Sequence, residues 1–146
     1  MIAYLIVTIT KSFRDHRRRE ARRVFCTVPR LGDFSSADNR FWDGEKDDLL
    51  LTIESVEGPP TQDHAEQVLD LFKNLEILTQ HARKYFLAQN DGKSWIKLEP
   101  GDVEPCGLWL YGDSSFQIDF RHPADEYVGY WVIFKNGLPV SSGWDD

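Results

Sequence analysis

Apolar and polar positions alternate with a period of two over residues 49–55. Leu49, Leu51 and Ile53 fall on one side, and Leu50, Thr52 and Glu54 on the other. That is the pattern of a half-buried β-strand. Phe116, Ile118 and Phe120 alternate in the same way with Gln117, Asp119 and Arg121. Residues 127–134 (YVGYWVIF) are almost continuously apolar, as expected of a central strand covered on both faces. Asn136-Gly137 then stands between two apolar runs, a strong hairpin signal. The return strand, 138–142, contains Pro139, which places it at a sheet edge. Earlier in the chain, residues 24–28 read as a short strand closed by Pro29, and the apolar residues 1–10 as another.

Between Pro60 and Asn90 the period changes. Ala65, Val68, Leu69, Phe72, Leu75, Leu78, Ala82, Tyr85 and Phe86 recur at steps of three and four and form one helical stripe. Thr61 is a candidate N-cap, and Asn90-Asp91-Gly92 a stop. The pattern predicts one amphipathic helix over residues 62–88, about 40 Å long unless it breaks near Asn74. Gly32 and residues 35–39 read as a loop, and the acidic residues 43–48 as a hairpin tip. Residues 95–98 fit a short strand or a helical turn. The expected fold is α+β, with strands, helix and strands in that order: one or more antiparallel sheets with the long helix packed on one face.

A chain of 146 residues fits a single domain with a core of its own. Cys26 and Cys106 stand alone, without Cys-x-x-Cys spacing, and read as two reduced thiols. In residues 1–10 the positive charges follow the apolar run rather than precede it, which is wrong for a signal peptide. The run is also too short for a membrane span, which needs about 20 residues. The expectation is a cytoplasmic protein away from membranes, and nothing in the sequence calls for a cofactor.

Charge adds a second axis. Residues 11–30 hold eight Lys or Arg against Asp15 and Glu20, in a chain of net charge −7, so the rest is strongly acidic. The segment 11–23 could be a peripheral helix or an arm. Arg14, Arg17, Arg18, Arg19, Arg22 and Arg23 could contact phosphates, which makes a nucleic-acid-associated protein one alternative. An acidic body opposes that reading, and no recognition motif accompanies the arginines. Arg14, Arg18 and Arg22 are also spaced as like-charge i, i+4 pairs, which disfavours an isolated helix.

Motifs for catalysis or metal are weak. His16, His64, His81 and His122 make no i, i+4 pair, and the acids at 43–48 lack the glycine and glutamate positions of an EF-hand. His122, Asp125 and Glu126 could form a small acid/base cluster, so an enzyme of unknown reaction is a further alternative. The acidic and aromatic residues of the last third offer more. Asp113, Asp119, Asp125, Glu126, Asp145 and Asp146 accompany Trp131 and Trp144 there. Acids steer a basic partner and aromatic anchors hold it, so these eight residues are the candidate partner-binding set.

Several segments together resemble a known family. They are Leu31-Gly32-x-Phe34, Phe41-Trp42-Asp43-Gly44 before the strand 49–54, Leu75-Glu76-x-Leu78 with Ala82-x-x-Tyr85, and Phe116-x-Ile118-x-Phe120 followed by Gly129-Tyr130-Trp131-x-Ile133 and Gly137. Over residues 24–146 this layout is similar to immunity proteins of bacterial polymorphic toxin systems. The resemblance implies a cytoplasmic, non-catalytic protein that neutralises a cognate toxin, a basic domain, by occluding its active site. It carries over no catalytic residue, and the Arg-rich segment lies outside it.

Overall fold

Two four-stranded meanders meet at one parallel pair in this computed structural model, which describes residues 22–89, 104–122 and 125–145. The first meander is β1 (Val24–Val28), β2 (Gly32–Ser36), β3 (Phe41–Lys46) and β4 (Leu49–Glu54). Two helices follow, α1 (Gln62–Lys73) and α2 (Leu75–Gln89). The second meander is β5 (Glu104–Leu110), β6 (Phe116–His122), β7 (Asp125–Lys135) and β8 (Leu138–Asp145). The eight strands lie side by side in chain order, and every neighbouring pair is antiparallel except β4 and β5.

This corrects the expected fold class in two respects. The sheet is mixed, not antiparallel: residues 50–53 run parallel to residues 107–110, and the helical crossover between them makes that direction possible. Alternation along a strand reports its faces and says nothing of its neighbours. The single long helix is also two. Asn74 leaves helical geometry at φ −102°, ψ 7°, and its side-chain amide donates to the Asp70 carbonyl at 2.9 Å. The apolar stripe continues through the break, so periodicity did not reveal it.

Smaller differences follow from turn chemistry. Gly32, Ser35 and Ser36, expected as loop, belong to β2, and residues 43–46, expected in a hairpin tip, belong to β3. The turn itself is Asp47-Asp48, both left-handed at φ 50° and 63°. Asn136 and Gly137 at φ 52° and 76° make the hairpin that their pairing predicts, and among the described strands β8, with Pro139, is the last in the sheet. The proposed strand at 1–10, the segment 11–21 and the element at 95–98 lie outside the described residues.

Both helices cover one face of the sheet. Ala65, Val68, Leu78, Ala82 and Phe86 pack there on Phe34, Trp42, Leu51, Ile53, Ile118, Val132 and Phe134. At about 25 cal/mol per Å² of apolar surface, this shared core is the main stabilising term. Thr61 opens α1, its backbone N–H donating to His64 Nδ1 at 2.9 Å, so His64 serves the cap. Among the described residues, no helix is long and apolar enough to cross a membrane.

Candidate functional site

The strand positions that alternate with the core form the opposite face, on which no described helix lies. Register places them in rows across the sheet. One row runs Glu45, Leu50, Gly107, Asp119, Trp131, Gly143; the next runs Asp43, Thr52, Trp109, Gln117, Ile133, Ser141. β7, expected to be covered on both faces, is covered by helices on only one of them among the described residues. Its apolar run reflects core on one side and a half-buried Trp131 and Ile133 on the other.

Two glycines shape this face. The Trp131 ring lies flat across Gly143, where a Cβ would come within 2.3 Å of it. The Asp119 carboxylate lies across Gly107, where a Cβ would stand 2.9 Å from Oδ2. Each glycine is the direct cross-strand partner of the side chain that covers it.

A hydrogen-bonded chain fixes the middle of the face. Tyr111 donates its hydroxyl to Gln117 Oε1 at 2.9 Å, and Gln117 Nε2 donates to Asp119 Oδ1 at 2.7 Å. Trp109 Nε1 donates to the other carboxylate oxygen, Oδ2, at 3.0 Å. Burial, with Asp119 next, raises the Tyr111 pKa and keeps the phenol a donor. Phe41 meets Trp109 edge-on at 6.0 Å between ring centres, and Trp109 stacks towards Tyr111 at 6.4 Å. The result is an aromatic platform beside a carboxylate whose two oxygens are both held by donors.

Ion pairs frame the platform. Thr52 Oγ1 donates to Asp43 Oδ1 at 2.9 Å, and Arg23 reaches the same carboxylate at 3.4 Å while donating to Ser35 Oγ at 3.0 Å. Arg40 lies over the Phe41 ring and donates twice to Glu54 Oε1, at 2.9 and 2.7 Å. Glu54 Oε2 accepts the Gly112 N–H at 2.9 Å, a bond that, with Arg40 next, lowers the Glu54 pKa. Arg121 pairs with Glu104 at 3.5 Å. Each of these three arginines thus has an acid, whereas Asp33, Glu45 and Asp119 have no cationic partner among the described residues. Among the described residues the face keeps a negative excess.

The predicted partner set divides. Asp119 and Trp131 adjoin as a cross-strand pair on the open face. Asp113 lies in the β5–β6 turn, where its carboxylate accepts from the Ser115 hydroxyl and backbone N–H, so it shapes the turn. Trp144 is on the other face, packed against the core beside α2. Asp125, Glu126 and Asp145 lie on β7 and β8, with side chains outside the description, as is Asp146 altogether. Of the alternative nucleic-acid set, Arg14, Arg17, Arg18 and Arg19 fall outside the described residues. Arg22 is exposed, and Arg23 is bound into the sheet by Ser35 and Asp43 rather than free for phosphate.

Sequence reasoning did not assign Phe41, Asp43, Glu54, Tyr111 and Gln117 to the partner surface. The available signal was parity: once Leu108, Leu110, Phe116 and Ile118 are assigned to the core, the residues between them must share the other face. Both cysteines are free thiols whose pKa is raised by burial, on β1 and β5. Among the described residues no three His, Cys, Asp or Glu side chains gather as a metal site. No family model, curated protein or solved structure matches the chain.

Proposed function

We propose that this chain is a binding protein that takes a basic protein partner on the open face of its sheet, and that it serves in the cytoplasm as an immunity protein, blocking the active site of a cognate bacterial toxin. The observation that carries the reading is the fixed array of Trp109, Asp119, Gln117 and Tyr111, flanked by Leu50 at 65% exposure. Apolar and aromatic anchors with a surplus of negative charge suit a cationic surface. Preorganised carboxylates lose little freedom when the partner arrives. Occlusion needs no chemistry from the chain itself, and the segments that resemble immunity proteins support the toxin as partner.

The test is protection. The chain is co-expressed with the toxin-like domain encoded beside its gene, and growth is followed. The wild-type chain restores growth and binds the purified domain, with an affinity that falls as salt rises. Leu50→Lys combined with Glu45→Lys, two exposed positions on the face, removes protection while leaving the fold intact by circular dichroism. Protection that survives these substitutions moves the contact elsewhere, and growth inhibition unrelieved by the wild-type chain overturns the immunity reading.

A further inference from the structure

The side chains that β6 places on the open face are bonded on the β5 side. Gln117 accepts from Tyr111 at 2.9 Å, Asp119 accepts from Trp109 at 3.0 Å, and Arg121 pairs with Glu104 at 3.5 Å. The Asp119 carboxylate leans far enough to lie over Gly107 on β5. Trp131, its direct partner on β7, leans the other way, with its ring across Gly143 on β8. Direct cross-strand partners stand about 5 Å apart at Cβ. Here their side chains diverge, so a seam opens above the β6–β7 pair, with the carboxylate as one wall and the indole as the other. Gln117 and Ile133 form one end. At the other end Gly129, opposite Arg121, has no side chain to fill it.

Asp119 differs from the neighbouring acids. Asp43 and Glu54 are neutralised by Arg23 and Arg40. The Asp119 oxygens are held by neutral donors, Trp109 Nε1 on Oδ2 and Gln117 Nε2 on Oδ1, and no cation pairs with it among the described residues. A carboxylate offers about four acceptor directions. Each oxygen of Asp119 uses one for its neutral donor and keeps capacity for another, in a plane that the two donors fix. Further interactions fall on Arg23, Arg83, Phe86 and Trp144, not on Asp119 or Trp131. Both walls of the seam are partly exposed.

We propose that this seam seats one arginine side chain of the basic partner, its guanidinium forked on the Asp119 carboxylate and one planar face against the Trp131 indole. The proposal rests on the open-face reading and names the central contact of that surface. Charge complementarity selects a cation, and the two walls select arginine over lysine. A guanidinium places parallel N–H groups on both oxygens of a carboxylate and stacks on an aromatic ring. An ammonium is a compact, strongly hydrated point charge that matches neither wall as well. Trp109 and Gln117 are positioning residues: they hold the carboxylate in place before the partner arrives. Gly107 and Gly143 keep the walls apart, because a Cβ at either position would push its covering side chain back towards the seam.

The probes are two blocked tripeptides, acetyl-Gly-Arg-Gly-amide and its lysine counterpart, titrated into the full chain and followed by the indole N–H resonances in nitrogen-15 NMR. Trp109→Phe and Trp131→Phe assign the two resonances. The arginine peptide should shift both in a saturable way, and the lysine peptide should bind about threefold more weakly. Asp119→Asn keeps the shape, removes the charge and weakens binding about fivefold. Trp131→Leu, read at Trp109, weakens it about threefold and decides if Asp119→Asn fails to fold. Replacing Arg17, Arg18 and Arg19 by Ala should leave the affinity unchanged; a gain would mean that the chain's own arginines fill the seat, and overturns the proposal. Unmoved indoles, equal binding of the two peptides, or indifference to both wall variants overturns it as well. The peptides report on the seam with no toxin present. A seated arginine without protection from the toxin overturns the immunity reading alone, and protection without any indole shift overturns the arginine seat alone.

Discussion

The indole N–H of Trp109 meets the Asp119 carboxylate at 3.0 Å above Gly107, the one residue type that leaves room for it. Replacing Asp119 by Ala leaves a half-buried indole donor and the Gln117 amide without their acceptor. We expect a loss of about 1–3 kcal/mol in urea unfolding, the cost of orphaned polar groups. Trp109→Phe removes the donor as well as the need for it. The double variant should therefore be more stable than the sum of the single losses, by about 1 kcal/mol. Simple additivity would show that the pair is not coupled.

Gly143 offers a steric test. Valine there would collide with the Trp131 ring, and we expect a destabilisation of about 1–3 kcal/mol, typical of forced overpacking. Trp131→Ala empties the same space. In the Trp131→Ala background Gly143→Val should therefore cost far less, and thermal melts of the four proteins would show it. An equal cost in both backgrounds would trace the effect to the backbone rather than to the ring.

Acid stability follows from three carboxylates whose pKa values are lowered. Glu54 is held down by the Gly112 N–H and then Arg40, Asp38 by the Phe41 and Arg40 N–H groups, and Asp113 by the hydroxyl and then the N–H of Ser115. A lowered folded pKa means that the folded state binds the proton less readily than the unfolded chain. The stability is fully present above the unfolded carboxylate value, near 4, and is lost as pH falls through the folded values. The melting temperature should hold steady from about pH 7 to about pH 5 and drop below about pH 4. Glu54→Gln should flatten part of that drop and cost about 1 kcal/mol at neutral pH through the weakened bonds to Arg40 and Gly112.

Tyr130 predicts a gain rather than a loss. Its ring stacks between Phe86, at 4.1 Å, and Phe120, at 4.9 Å. Its hydroxyl is buried without a hydrogen-bond partner among the described residues. Tyr130→Phe keeps the stack and removes a desolvated hydroxyl, so stability should be unchanged or rise by up to about 1 kcal/mol. Burial raises the phenol pKa, so the folded state favours the neutral form. That contribution is complete below the unfolded tyrosine value, near 10, and fades as pH rises towards the folded one. The wild-type chain should therefore lose more stability than Tyr130→Phe above about pH 10, as urea unfolding at alkaline pH would show.

Faces were legible in the sequence, and neighbours were not. Leu51 and Ile53, or Ile118 and Phe120, announce their side of the sheet by parity alone. That β4 lies against β5 depends on a crossover through α1 and α2, and no local pattern encodes it. Asn74 stood out as a place where the helix could break, but the stripe could not decide it, because Leu75 and Leu78 continue the line laid down by Val68 and Phe72. For the partner surface, composition located acids and tryptophans but not their grouping. Trp131 and Trp144 are close in sequence, yet they point to opposite faces because the bulge in β8 shifts its register, so that Trp144 stands opposite Tyr130 and Gly143 opposite Trp131.

The parallel seam between β4 and β5 has a kinetic meaning. Within each meander every pairing joins strands consecutive in the chain, so loop closure is short and fast. The seam joins Leu50 to Gly107, and its closure must wait for the helical crossover to collapse. The amides of residues 50–53 and 107–110 should therefore gain protection last in pulse-labelled hydrogen exchange during refolding, after those of β6 and β7. Until then each half exposes a fresh strand edge at the centre of the future sheet. Aggregation from the refolding chain, if it occurs, should begin at that internal edge rather than at β1 or β8.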